Sequence, residues 1–144
     1  MKANELRIGN CIRCKEPNKE LYFYEVRSIS ESEIGVVYYP DKTQTAGIQY
    51  ETEIISVPFD FIESIPLTEE ILLKCGFEKY EKGEDVFFKK GDFFHLCKFD
   101  VYGGFGYECG DNLGGNYINN RIDYLHQLQN IYVISIGEEL EVKL

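Results

Sequence analysis

Tryptophan is absent from this 144-residue chain, methionine occurs once, histidine twice and proline four times. With only His95 and His126 available, a histidine-based relay or a histidine-rich metal cluster has little to build on. Long apolar runs are lacking as well. None approaches the ~20 residues that a helix needs to cross a bilayer, and none stands at the start of the chain as the apolar centre of an export signal. Basic clusters are equally scarce. Lys89-Lys90 is the longest basic run, whereas phosphate backbones reward dense Lys/Arg patches through counterion release. The reading is therefore against a membrane partner and against direct nucleic-acid binding. Five cysteines, at 11, 14, 75, 97 and 109, make an odd number that a closed disulfide framework would not use. Free thiols in a reducing cytoplasm are the expectation.

Acid and aromatic rings are what the chain has instead. It carries 25 acidic against 15 basic side chains, a formal charge of −10, with 11 Tyr and 10 Phe. A hydrophobic share of 44% suffices for the core of one domain or of two small lobes. Tyrosine covers apolar area while keeping a polar tip, which suits a core rim and also a contact surface. Ordinary solubility explains an acidic excess; attraction to a basic surface, including one that normally holds nucleic acid, also does.

Taken in order, Leu6-Arg-Ile-Gly-Asn10 reads as a first strand breaking into a turn, continued by Cys11–Cys14. Leu21–Ser28 alternates with the period of a strand, Glu33–Tyr39 is closed by Pro40-Asp41, and Gln44–Val57 adds one or two more strands. Residues 1–65 thus predict a small curled β-sheet or SH3-like barrel. Ile65-Pro66-Leu67 predicts a hinge. Thr68 can cap a short helix holding Glu69 and Glu70 in its first turn, with Gly76 and Phe77 placed for a Schellman closure. From Phe77 to Cys109 an antiparallel β-meander is expected, with strands at 77–80, 86–89, 93–99 and 105–109. Gly110–Gly115 then reads as a loop. The fold class is α+β, with lobes at 1–65 and 66–144 that can also pack as a single domain.

The stretch from Ile122 to Gly137 reads as an amphipathic helix. Tyr124, Leu125, Leu128, Ile131, Tyr132 and Ile136 share one face, and His126, Gln127, Gln129 and Asn130 occupy the rest. Asp123 or Asn120 can cap it, and Gly137 suits its left-handed end. A short strand over 140–144 is expected to follow. The competing reading pairs Ile131–Ile136 with Leu140–Leu144 as a hairpin.

Tyr124-Leu-His-Gln-Leu-Gln-Asn130 with Gly137-Glu-Glu-Leu140 resembles the closing signature of a family of small uncharacterised proteins. These are encoded by phages, prophages and mobile elements of Bacteroides-type bacteria. Leu6-Arg-Ile-Gly-Asn10 and the segment from Ile65-Pro-Leu-Thr-Glu-Glu70 through Cys75-Gly-Phe77 are similar to the same family. The chain departs from it at Ile71-Leu-Leu, where the family pattern has an aromatic. The resemblance implies an origin in a mobile element and supplies no catalytic motif, so no site residue follows from it.

Cys11-x-x-Cys14 has no second pair to complete a zinc knuckle, and on a strand its two thiols point to opposite faces. The glycines at 103–106 and 110–115 lack the Lys-Ser/Thr or strand–helix frame of a phosphate loop, and turns account for them. His95 and Cys97 share a strand face without further sign of acyl chemistry. Glu78, Glu81, Glu84 and Asp85 fall on one hairpin edge, where charge deters edge-to-edge aggregation. Glu51 and Glu53 share a strand face, and Glu63 adds a further acid.

The resulting expectation is a non-enzymatic, cofactor-free, acidic protein-binding module acting in the bacterial cytoplasm. Its partner would be a host protein, such as a basic nucleic-acid-processing effector of the CRISPR type. Expected contacts are Glu51, Glu53, Glu63, Glu78, Glu81, Glu84 and Asp85, with His126 and Asn130 on an exposed helix face. The alternatives are a self-associating accessory protein of the mobile element and, less favoured, a metal-dependent enzyme using His95.

Overall fold

The computed structural model describes residues 3–15, 23–38, 54–99, 103–108 and 117–144. Two units divide the chain, Met1–Ile65 and Pro66–Lys143. The class is α+β: a curled antiparallel sheet in the first unit, and a second antiparallel sheet with helices in the other.

The first unit is built from β1 (Cys11–Cys14), β2 (Phe23–Ile29), β3 (Glu33–Tyr38), β4 (Ile55–Pro58) and β5 (Ile62–Glu63). Their order across the sheet is β4-β3-β2-β1-β5. A single 3-10 turn, Phe59–Phe61, carries the chain from β4 to β5, which pairs back on β1. This is the strand order of an SH3-like half-barrel. Alternation selects the core: Ile12, Cys14, Tyr24, Val26, Ile34, Val36 and Ile62 bury one face, and Leu6 joins them. Cys11, also buried, takes the opposite face of β1 from Ile12 and Cys14 by the same alternation.

One sequence expectation changes here. Leu6–Asn10 is a tight turn, and the strand begins only at Cys11. The buried Asn10 side chain accepts from the Arg7 N–H at 2.9 Å, and Gly9 takes a φ of 90°. An Asn that bonds its local backbone competes with strand pairing, and glycine accepts the positive φ without strain. Gly9 N–H then donates to the Val26 carbonyl at 2.8 Å, so the turn is fastened to β2. Of the span 44–57, β4 covers the end; the part up to residue 53 lies outside the described residues, as do Glu51 and Glu53.

The second unit opens with α1 (Glu69–Lys74). Thr68 Oγ1 accepts from the Ile71 N–H at 3.2 Å. At the far end Gly76 N–H donates to the Leu73 carbonyl and Phe77 N–H to the Leu72 carbonyl, each at 3.0 Å, with Gly76 at φ 81°. Those two bonds are the Schellman closure that Gly76-Phe77 predicts. Lys90 Nζ adds a charged donor to the Cys75 carbonyl at 2.6 Å, where a helix end favours a cation.

The meander follows as β6 (Glu78–Lys82), β7 (Asp85–Lys90), β8 (Phe94–Lys98) and β9 (Phe105–Glu108), with β10 (Tyr117–Ile122) completing the order β10-β9-β8-β7-β6. Helix α2 spans Leu125–Ile136 and ends at Gly137 with φ 82°. The core faces these helices. Phe94 meets Phe77, Tyr107 and Tyr132 at ring distances of 6.0, 4.7 and 5.0 Å. Phe88, Leu96, Ile122, Leu125 and Leu128 are fully buried. Cys109 and the loop expected at 110–115 lie outside the described residues.

Three differences from the sequence reading concern this end of the chain. Tyr117–Ile122 is a strand, and the helix starts three residues after Ile122. Its N-cap is Tyr124, and Gln127 reaches back from the third helical position, its Oε1 accepting from the N–H groups of Asp123 (2.9 Å) and Tyr124 (3.2 Å), so Asp123 is not the cap; the side chain of Asn120 lies outside the described ones. Residues 139–144 form no strand, although Leu140 and Val142 are buried.

Candidate functional site

The β6–β7 hairpin is the acidic feature that the structure assembles. Its register sets Glu78 against Lys89, Glu81 against Val86 and Lys82 against Asp85, with Gly83-Glu84 as the turn and Gly83 at φ 68°. Among the described residues β6 is the outermost strand of its sheet. Glu78 is neutralised by Lys89 Nζ at 3.2 Å. Glu81, Glu84 and Asp85 are exposed, and none has an ion-pair partner among the described residues. Three neighbouring carboxylates thus stand in solvent at one hairpin end, accompanied by the exposed Lys82.

Other expected contact residues are not brought to this place. Glu63 lies on β5 in the first unit, 3.9 Å from both Arg13 Nη2 and Lys15 Nζ. His126 and Asn130 sit on α2, and the expected exposed face is not there. His126 is 2% exposed and Gln129 likewise, while Ile134 is 81% exposed. The buried arc runs through Leu125, His126, Leu128, Gln129 and Tyr132, turned toward His126 from the arc that hydropathy selects. Strand β10 and the bridge from Pro66 to Tyr124 fix how the helix enters, and the Tyr124 ring lies flat against His126 at 5.8 Å. Packing, not side-chain polarity, set the rotation. Asn130 is half-buried.

Behind the hairpin, the sheet face opposite α2 carries an arrangement that spacing alone does not reveal. Alternation and register bring Tyr80, Phe87, His95, Cys97 and Gly106 onto that face. The Tyr80 hydroxyl lies 3.1 Å from His95 Nδ1, and His95 Nε2 lies 3.1 Å from the Asp92 carbonyl oxygen. A carbonyl can only accept, so Nε2–H donates to Asp92, and the direction of the Tyr80–Nδ1 bond follows whether Nδ1 carries a proton. Cys97, two residues on, is buried and donates its thiol to the Lys98 carbonyl at 3.6 Å. His95 is therefore engaged by Tyr80 and Asp92 and not by Cys97. Among the described residues no group of three or more His, Cys, Asp and Glu side chains is placed to hold a metal ion. None of their helices is long and apolar enough to cross a membrane.

On the helix side, Glu69 joins three elements. Its carboxylate takes Lys98 Nζ at 2.5 Å and Lys79 Nζ at 3.0 Å, so α1 is tied to β8 and β6. The hydrogen bond from Lys98, then that from Lys79, hold its carboxyl below the ordinary glutamate range against a smaller effect of burial. A depressed folded-state pKa stabilises above the unfolded-state value and loses that contribution as pH falls through the folded-state value. All three side chains are about one-third exposed, so solvent screening keeps the effect small. Glu69→Gln is expected to lower stability by no more than about 1 kcal/mol at neutral pH. The difference should vanish as acid protonates the wild-type carboxyl, which urea titrations of both proteins across the acid range would measure.

Comparison with protein-family models, with curated proteins and with solved structures finds no match.

Proposed function

We propose that this chain is an acidic protein-binding module of a phage or other mobile element, and that it docks on a basic, nucleic-acid-processing protein of its bacterial host. The observation that carries this reading is the hairpin end at which Glu81, Glu84 and Asp85 stand exposed and unneutralised among the described residues. Carboxylates held on a hydrogen-bonded hairpin pay little ordering entropy on binding, and their field speeds encounter with a positive surface. A cytoplasmic effector of the CRISPR type, whose channel holds a nucleic-acid backbone, has the required surface. In this reading the module inhibits the effector by occupying that channel.

The test is retention of host-lysate proteins on the tagged chain at low and moderate salt, beside the triple variant Glu81→Lys, Glu84→Lys, Asp85→Lys. The expected result is a stoichiometric partner that processes nucleic acid, is released by salt or by competing nucleic acid, and escapes the variant. Equal retention by both proteins would remove the hairpin from the interface. Absence of any such partner at low salt would sink the module reading itself. Self-association through strand edges is the second reading, and the β6 edge speaks against it. Glu78, Lys79, Glu81 and Lys82 place charge along four of its five positions, which hinders pairing with another strand. Sedimentation at micromolar concentration is expected to give a monomer.

A further inference from the structure

On the face of the first unit's sheet opposite its core, Arg13 is a guanidinium that folding encloses without satisfying. Alternation turns it away from Ile12 and Cys14, and register sets it between Phe23 of β2 and Glu63 of β5. Its side chain is 21% exposed, yet Nε is buried and has no acceptor among the described residues. Nη2 makes one long bond, 3.4 Å to the Ser64 carbonyl oxygen, and lies 3.9 Å from Glu63 Oε2. The second distance is an ion pair and too long for a hydrogen bond. Lys15 repeats the pattern, with Nζ 3.9 Å from Glu63 Oε1 and 3.4 Å from the Asp60 carbonyl oxygen. One carboxylate therefore stands between two cations at bonding distance from neither. The backbone beneath is fixed: β1 pairs with β2 and β5, and the Lys15 N–H donates to the Phe61 carbonyl at 2.7 Å. Glu25, opposite Cys11 on the same face, is taken by Arg27 at 3.2 Å.

We propose that Arg13 and Lys15 form a binding site for a phosphate group, and that Glu63 is the internal carboxylate the phosphate displaces. A guanidinium offers a planar fork of donors that matches two phosphate oxygens, and an ammonium adds a point charge for a third. With Nε enclosed, the Nη1 and Nη2 end of Arg13 is the edge that meets the ligand. Both cations then exchange separations of 3.9 Å for short charge-assisted bonds. Glu63 and Lys15 are about half exposed, so solvent screens their pairing and its loss costs little. The inference is independent of any docking role for the hairpin, which belongs to the other unit.

The experiment is titration of the whole chain with inorganic phosphate at constant ionic strength, followed by backbone amide NMR, with chloride as the reference anion. Wild type is compared with Glu63→Gln and Lys15→Gln, whose side chains are exposed enough for the fold to tolerate the change. The expected result is a saturable set of shifts centred on residues 12–15 and 62–64, with a dissociation constant on the order of millimolar. Glu63→Gln should bind phosphate about tenfold tighter because the competing carboxylate is gone, and Lys15→Gln about fivefold more weakly. Shifts that do not saturate, that chloride reproduces, or that fall equally around Lys74 and Lys82 would mean an adventitious ion only and would overturn the proposal. Equal affinity in wild type and Glu63→Gln would overturn it too, since the carboxylate would then not share the site.

Discussion

Phe88→Ala is expected to lower the stability of the second unit by about 3–5 kcal/mol, the range for removing a buried ring that the surroundings cannot refill. Phe88 is fully buried on β7, between Lys79 of β6 and Leu96 of β8 in the register. Its ring meets Phe105 edge-on at 5.7 Å, and Lys79 Nζ stands 6.0 Å from its centroid. Lost transfer energy and the residual cavity both contribute, and strands hydrogen-bonded on both sides cannot move inward to close the gap. A domain holds only about 5–15 kcal/mol in all, so the variant should sit near its unfolding threshold. Urea unfolding at neutral pH measures it, with Phe88→Leu expected to lose less because more volume remains. A loss under about 1 kcal/mol for the alanine variant would show that the ring is not part of a close-packed core.

Gly106→Val is the second large effect, expected at about 1–3 kcal/mol of destabilisation. On strand propensity alone, valine in place of glycine should help. Gly106 is opposed by Cys97, and a Cβ there would come within 2.4 Å of Phe99 Cζ and 2.8 Å of Phe99 Cε2. The Phe99 ring lies over the bare backbone and covers it, as an aromatic shields a strand glycine. A valine must push that ring aside. The sign of the change is therefore diagnostic: stabilisation would mean that the ring does not occupy this place. The double variant Phe99→Ala, Gly106→Val should recover part of the loss, giving a coupling energy of about 0.5–3 kcal/mol in a double-mutant cycle.

The elements that sequence reading places well are those whose signals are local. Thr68, Gly76 and Phe77 mark both ends of α1 within a single turn, and Gly83 and Gly91 mark hairpin turns at positive φ. The hairpin carboxylates are also legible, since Glu78, Glu81, Glu84 and Asp85 lie within eight consecutive residues of the chain. What is hidden depends on partners far along the chain. Tyr117-Ile-Asn-Asn-Arg-Ile122 has strand formers at both ends interrupted by two asparagines, a mixed local signal; it pairs as β10 with β9. The Leu6–Asn10 segment looks like a strand, but Asn10 bonds Arg7 locally and the chain turns first.

By itself, then, the sequence determined the α+β class, the curled sheet ahead of a helix and a meander, the ends of α1, and the acidic hairpin. Each follows from alternation, capping or turn chemistry acting within a few residues. Only the tertiary structure decided that His126 and Gln129 are buried, because a helix rotates to satisfy the surface it packs on and not its own polarity. It alone paired Tyr80 with His95, 15 residues apart, since the two side chains meet only once β6 and β8 have both been folded against β7. It alone decided which carboxylates are paired among the described residues: Glu63, Glu69 and Glu78 are neutralised by lysines and arginines that folding brings to them, and Glu81, Glu84 and Asp85 have no such partner there.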